Sequence, residues 1–141
     1  MQYVDTSILV AALFDETHTD SAQRWLSGQG AGQLAISDWV LTEFSAALSV
    51  KLRSGQIEET HRSEALALLT RLTEQSFETL TVSRTDFRTA ARFADQYATG
   101  LRAGDALHLA IAANHGASLH TLDKRLAQAG QTLGVSTILL A

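Results

Sequence analysis

The sequence predicts an α/β domain, a central and mostly parallel sheet of about five short strands flanked by helices. Three observations predict it. Short β-prone runs alternate with helical stretches along the whole chain, the pattern of repeated strand–helix crossovers. The segment from Ala103 to Ala113 is apolar at nearly every position, so it reads as a helix covered on all sides. Finally, acids stand where strands end and helices begin, the edge of an open parallel sheet at which sites form.

Each element follows in order. Gln2 to Asp5 is a short strand that places Asp5 at its C-terminal end. Thr6 or Ser7 then caps an apolar helix, Ile8 to Phe14. Thr17 to Ser27 is a second helix with Ala22, Trp25 and Leu26 on one side, closed by glycines. Gln33 to Ser37 is the second strand, and Ser37 caps the long helix Asp38 to Arg53. Ile57 to Gln75, with Ala65, Leu66, Leu68, Leu69 and Leu72 as its stripe, completes a helical hairpin. Phe77 to Val82 is the third strand. Ser83 and Asp86 form a capping-box start for the helix Thr85 to Ala98. The apolar helix from Ala103 follows and stops at Gly116. Ser118 to Thr121 is a strand, Asp123 to Ala129 a short helix ended by Gly130, and Val135 to Leu140 the last strand.

At 141 residues one domain, 1–141, is the default. The chain has no cysteine, which excludes a disulfide framework and a thiolate metal site and fits a reducing, cytoplasmic setting. Its apolar runs are too short or too interrupted to span a bilayer, and its start lacks the zones of a signal peptide. A net charge of −4 argues against a general nucleic-acid binder but not against an enzyme that gathers its acids in one place. With 45% hydrophobic residues the chain leaves room for an exposed apolar patch.

Four acids stand out by position. Asp5 ends a strand and Asp123 lies just past one. On a 100° wheel Glu43 falls inside the apolar arc of its helix, with Trp39, Val40, Phe44, Ala46, Ala47 and Val50, and away from Thr42, Ser45 and Ser49. Asp105 sits in the first turn of the apolar helix. The partial charge of a helix N-terminus, worth about 0.3–1 kcal/mol, is too small to keep a buried carboxylate ionised. Right-handed crossovers bring all strand C-termini to one edge, so Asp5 and Asp123 share a rim. Carboxylates this close do not all ionise alone. A hard divalent cation, Mg²⁺ or Mn²⁺, resolves that with oxygen ligands and retained waters. Arg102, Lys124 and Arg125 flank the acids as candidate phosphate contacts, or as solvated surface charge. His108, one turn past Asp105, reads first as a hydrogen-bonded core histidine.

The segments VDTS, SDWVLTE, LRAGDALHLAIA and TLDKRL, in that order, resemble the PIN domain and more closely the VapC toxins of bacterial toxin–antitoxin pairs. The likeness covers the full chain. It implies a metal-dependent endoribonuclease that hydrolyses RNA phosphodiester bonds and leaves a 5′-phosphate. It implies Asp5, Glu43 and Asp105 as core catalytic and metal-holding acids, Asp123 as a more variable fourth, and Thr6 or Ser7 in support. It further implies a cognate antitoxin lying over an apolar groove, for which Trp25 and the first two helices are candidates, and a homodimer. Two rival readings are a catalytically silent binding module of the same fold and a Mg²⁺-dependent phosphoacceptor signalling domain. The second wants paired acids after the first strand and a lysine after the last. Asp5 has no acidic neighbour, and Val135 to Ala141 holds no lysine.

Overall fold

The computed structural model describes residues 1–140. Five strands, β1 (Gln2–Val4), β2 (Leu34–Ser37), β3 (Phe77–Leu80), β4 (Ser118–Thr121) and β5 (Thr137–Leu139), form one sheet in the order β3-β2-β1-β4-β5. Every neighbouring pair is parallel. Seven α-helices connect them: α1 (Thr6–Leu13), α2 (Thr19–Ser27), α3 (Asp38–Arg53), α4 (Glu59–Ser76), α5 (Arg84–Asp95), α6 (Ala103–Asn114) and α7 (Lys124–Thr132). A single 3-10 turn, Tyr97–Thr99, precedes α6. The α/β class read from the alternation is the one observed. No helix among the described residues is long and apolar enough to cross a membrane.

The core lies on both sides of the central strand. Tyr3, Val4, Ile8, Ile36, Phe44 and Leu119 are fully buried. At roughly 1.5–3 kcal/mol for each large apolar side chain removed from water, such residues dominate the favourable side of folding. In α6 every residue from Ala106 to Ala112 is buried, His108 included. This is why that helix has no polar face. It is tied to α5 where Asn114 donates to the buried Asp86, 2.7 Å away, and Asp86 in turn closes the capping box with Ser83.

Several local expectations change. The N-cap of α1 is Asp5 rather than Thr6 or Ser7, because both hydroxyls are drawn to acids of the site. Ser37 does stand at the N-cap of α3, but its hydroxyl meets Tyr3 instead of capping. Ala46 and Val50 face outward, so the buried face of α3 is the narrower stripe Val40, Phe44 and Leu48. Among the residues of α4 only Ala65 and Leu69 are buried, and Leu68 is exposed. Gly130 does not end α7 but lies within it, since the Thr137 side chain fills the place of a Cβ there. Trp25 packs on the His120 ring at 4.5 Å between centroids and is engaged within the fold.

Candidate active site

The sheet order puts β4 beside β1, so the loops after both strands meet at one edge. Asp5 follows β1 and is buried. Ser7 Oγ donates to its Oδ1 and Thr121 Oγ1 to its Oδ2, each at 2.6 Å. The same two hydroxyls accept the backbone N–H groups of Leu122 and Asp123, at 3.1 and 3.0 Å. They therefore stitch the loop after β4 to the first acid. Burial pushes the Asp5 carboxyl up, against the pull of the His108 ring and of the two hydroxyl donors.

Glu43 comes from α3, opposite α6. Thr6 Oγ1 donates to its Oε1 at 2.7 Å, and His108 Nε2 contacts the same oxygen. Behind His108 runs a buried chain: its Nδ1 is 2.8 Å from the Tyr3 hydroxyl, which is 2.7 Å from Ser37 Oγ. One assignment satisfies every group. Ser37 donates to Tyr3, Tyr3 to His108 Nδ1, and His108 Nε2–H to Glu43. Burial raises the Tyr3 pKa well above the usual phenol value, which keeps that donor protonated. Burial also pushes the Glu43 carboxyl up, but His108 and Thr6 more than offset it and the net shift is downward.

Asp105, in the first turn of α6, is half-buried, and among the described residues no side chain or backbone group donates to its carboxylate. Burial raises its pKa, and the nearby Asp123, Glu43 and Asp5 raise it further against an opposing contribution from His108. Asp123 is exposed and caps α7, its Oδ1 accepting from the backbone N–H groups of Arg125 at 2.9 Å and Leu126 at 3.3 Å. All four acids line one open hollow of about 920 Å³, together with Thr6, Ser7 and His108. Arg102, Lys124 and Arg125 line an adjoining hollow of about 570 Å³ that shares Asp105 and Asp123 with the first.

The structure thus brings the four acids and both hydroxyls together, and sets the three cations beside them. Position in the sequence did not reveal Tyr3, Thr121 or the contact of His108 with Glu43. The spacing of His108 one turn after Asp105 was the available signal. Tyr3 reads as an ordinary core residue until its hydroxyl is followed.

The four acids and two hydroxyls offer oxygen donors, and among the described residues Asp105 has no partner to offset its charge. Among the described residues no group of three or more His, Cys, Asp or Glu side chains lies close enough together to hold a metal ion directly. The oxygen donors of the acids suit a hard cation that keeps part of its water shell better than they suit a metal that prefers thiolate or imidazole ligands.

Comparison with known proteins supplies the frame. No curated protein sequence matches the chain. Among solved structures it is similar to a toxin of Mycobacterium tuberculosis, VapC20, described as cleaving the sarcin–ricin loop. That likeness has 19% identity and a TM-score of 0.74, and covers 92% of this chain and 95% of that one. FitAcB from Neisseria gonorrhoeae aligns at 17% identity and a TM-score of 0.72 over 99% of this chain and 98% of the other. VapBC2 of Rickettsia felis, solved with a DNA fragment from its promoter, aligns at 19% identity and a TM-score of 0.69 over 99% and 98%. These likenesses concern the fold. The family is fixed by the sequence profile of the PIN domain, which matches residues 2–131, and the chain belongs to the PIN-domain family.

Proposed function

We propose that this protein is a metal-dependent endoribonuclease and acts as the toxin of a toxin–antitoxin pair. The observation that carries the reading is the convergence of Asp5, Glu43, Asp105 and Asp123 on one open hollow, with Asp105 unpartnered. A phosphoacceptor domain would present an acid pair beside Asp5. Here the side chains that bond Asp5 are the hydroxyls of Ser7 and Thr121.

Asp5, Glu43, Asp105 and Asp123 would hold Mg²⁺ or Mn²⁺, directly or through water. Such an ion, when bound, supplies an activated water and offsets the charge of the phosphodiester. The chain's own residues do the rest. Ser7 and Thr121 fix both oxygens of Asp5, so this acid presents one orientation. Thr6 and His108 fix Glu43. Asp105 has no donor to give up before it takes a cation. Arg102, Lys124 and Arg125 sit where the phosphates of a bound strand would pass, and an arginine fork matches phosphate oxygens.

The partner in this reading is an antitoxin. A second hollow of about 650 Å³ adjoins the acid site and shares Asp15, Lys51 and Gln56 with it. Leu13, Phe14, Ile57, Ala65 and Leu68 line it. The exposed position of Leu68 suits an apolar peptide side chain. Toxin–antitoxin complexes among the structurally similar proteins support such a partner. The reading carries with it a cytoplasmic place of action and a homodimer, the latter checked by light scattering of the purified protein.

The test is cleavage of total cellular RNA by antitoxin-free protein with Mg²⁺, Mn²⁺ or EDTA, beside Asp5→Asn and Asp105→Asn. Discrete fragments that vanish with EDTA and in both variants are expected. Intact RNA from every class, with folded protein, would leave the silent binding module as the better reading. Cleavage that survives in both variants would put the reaction elsewhere.

A further inference from the structure

The surface on the two sides of the acids differs in charge. On one side the acid hollow runs into the hollow of Arg102, Lys124 and Arg125. That hollow shares Arg125 and Gln128 with a third of about 210 Å³, set between the 3-10 turn and α7 and lined further by Ala98, Thr99 and Thr132. The three form a continuous track along the exposed face of α7. Among the described residues none of Arg102, Lys124 and Arg125 is in an ion pair, and the Gln128 carboxamide makes no hydrogen bond within the chain. On the other side the acid hollow meets Asp15 and Glu16. Lys51, the one lysine or arginine among the described residues lining that side, is bonded to Glu16 at 2.9 Å and lies 5.3 Å from the centre of the Phe14 ring. Beyond it the wall is apolar.

A polyanion meets two further carboxylates and a cation already paired on the second side. On the first it meets three unpaired cations and then a small cavity that shares Arg125 with them and is lined by no carboxylate among the described residues. We propose that single-stranded RNA is held on one side of the scissile bond only. Its phosphates lie on Arg102, Lys124 and Arg125, and the nucleotide beyond them seats between the 3-10 turn and α7, where Gln128 reads its base. A splayed-out base is the form in which RNA sequence is commonly recognised, through hydrogen bonds to its edges. A carboxamide can donate and accept at once, as such an edge requires. The Thr99 and Thr132 hydroxyls already donate to backbone carbonyls, which leaves Gln128, beside the Arg125 guanidinium, as the uncharged polar side chain free to meet a base edge among the described residues of the cavity. This inference rests on the ribonuclease reading and assigns the substrate path and a specificity-determining residue to it. It also keeps the path of the RNA apart from the apolar hollow, which shares no lining residue with the two hollows along α7.

Two measurements test it. Binding of a labelled unstructured RNA to the cleavage-deficient Asp105→Asn protein is followed as salt is raised, with Lys124→Ala, Arg125→Ala or Lys51→Ala added. Each phosphate contact contributes about 0.7 to the slope of log affinity against log salt for a single strand. Loss of about that much slope is expected for Lys124→Ala and for Arg125→Ala, and no loss for Lys51→Ala. Separately, fragment ends from otherwise unaltered enzyme and from Gln128→Ala are sequenced. The expected result is a weakened base preference at one flanking position, with KM for RNA raised more than kcat is lowered. Equal slope loss from Lys51→Ala, or an unchanged base profile in Gln128→Ala, overturns the one-sided path or the base contact. RNA cleaved by the unaltered protein with either of those outcomes leaves the ribonuclease reading standing. RNA neither cleaved nor bound removes both.

Discussion

At the scale of single residues, the acids depend on neutral neighbours for their orientation. The chain from Ser37 through Tyr3 and His108 to Glu43 is buried over most of its length. Tyr3→Phe keeps the ring and removes only the hydroxyl. It leaves Ser37 Oγ and His108 Nδ1 without their partner, at about 1–3 kcal/mol for a buried unsatisfied group. Tyr3 is a positioning residue, so the variant should lower kcat several-fold with KM for RNA little changed, alongside a lower Tm. An unchanged kcat with the same stability loss would reduce the chain to a core polar network. Three of the acids stood out because each stands where a solvated acid would not, with Asp5 at the end of a buried strand, while the exposed Asp123 stood out only by its place just past one. Glu43 interrupts an apolar arc, and Asp105 opens an apolar helix. Tyr3 and Thr121 were not legible, because a tyrosine in a strand and a threonine at its end look alike in any sheet. Only the packed fold shows where their hydroxyls go, to Ser37 and to His108 on α6 for Tyr3 and to Asp5 for Thr121.

At the scale of elements, two glycines record how closely helices approach their neighbours. A Cβ on Gly130 would lie 2.3 Å from Thr137 Oγ1 and 2.6 Å from its Cγ2. Alanine is the better helix former by about 1 kcal/mol, but overpacking a tight contact is destabilising by about 1–3 kcal/mol. Gly130→Ala should therefore lower Tm, and Thr137→Ala added to it should recover part of the loss. A neutral or stabilising Gly130→Ala would mean that α7 and β5 shift apart freely. A Cβ on Gly104 would lie 3.0 Å from Glu43 Oε2 and 3.3 Å from Trp39 Cζ2. Here the displaced group belongs to the site. Gly104→Ala should reduce cleavage tenfold or more while Tm moves by no more than a few degrees. Full activity would show that Glu43 has room to yield. From the sequence both residues are simply glycines in or after a helix. Gly130 was expected to end α7 because the side chain that requires it lies in a strand the helix has yet to meet. The bounds of α3 were legible from its arc and flanking residues, since nothing distant overrides them.

At the scale of the whole molecule, what the sequence could not show is neighbourhood. Parallel crossovers place every strand's C-terminus on one edge, but the order β3-β2-β1-β4-β5 decides that Asp5 meets the loop of Asp123. The fold then gathers like charges on one rim. Asp105 feels this most, its pKa raised by burial and by three neighbouring acids, and folding must hold that repulsion. A cation that binds only the folded state lowers the free energy of that state by mass action. At a free concentration a hundredfold above its Kd the gain is about 2.7 kcal/mol. For a chain of this size that corresponds to a rise in Tm of roughly 5–10 °C. The expectation is such a rise with Mg²⁺ or Mn²⁺, reversed by EDTA. Asp105→Asn removes one charge from the rim, so it should melt higher than the unaltered protein in EDTA and gain less from either metal. The two changes separate a metal site from general screening. Monovalent salt at matched ionic strength would raise both proteins through screening alone, without the difference between them. If Asp105→Asn melts lower in EDTA and gains as much from Mg²⁺ as the unaltered protein, the acids are not held against one another and the ion binds elsewhere.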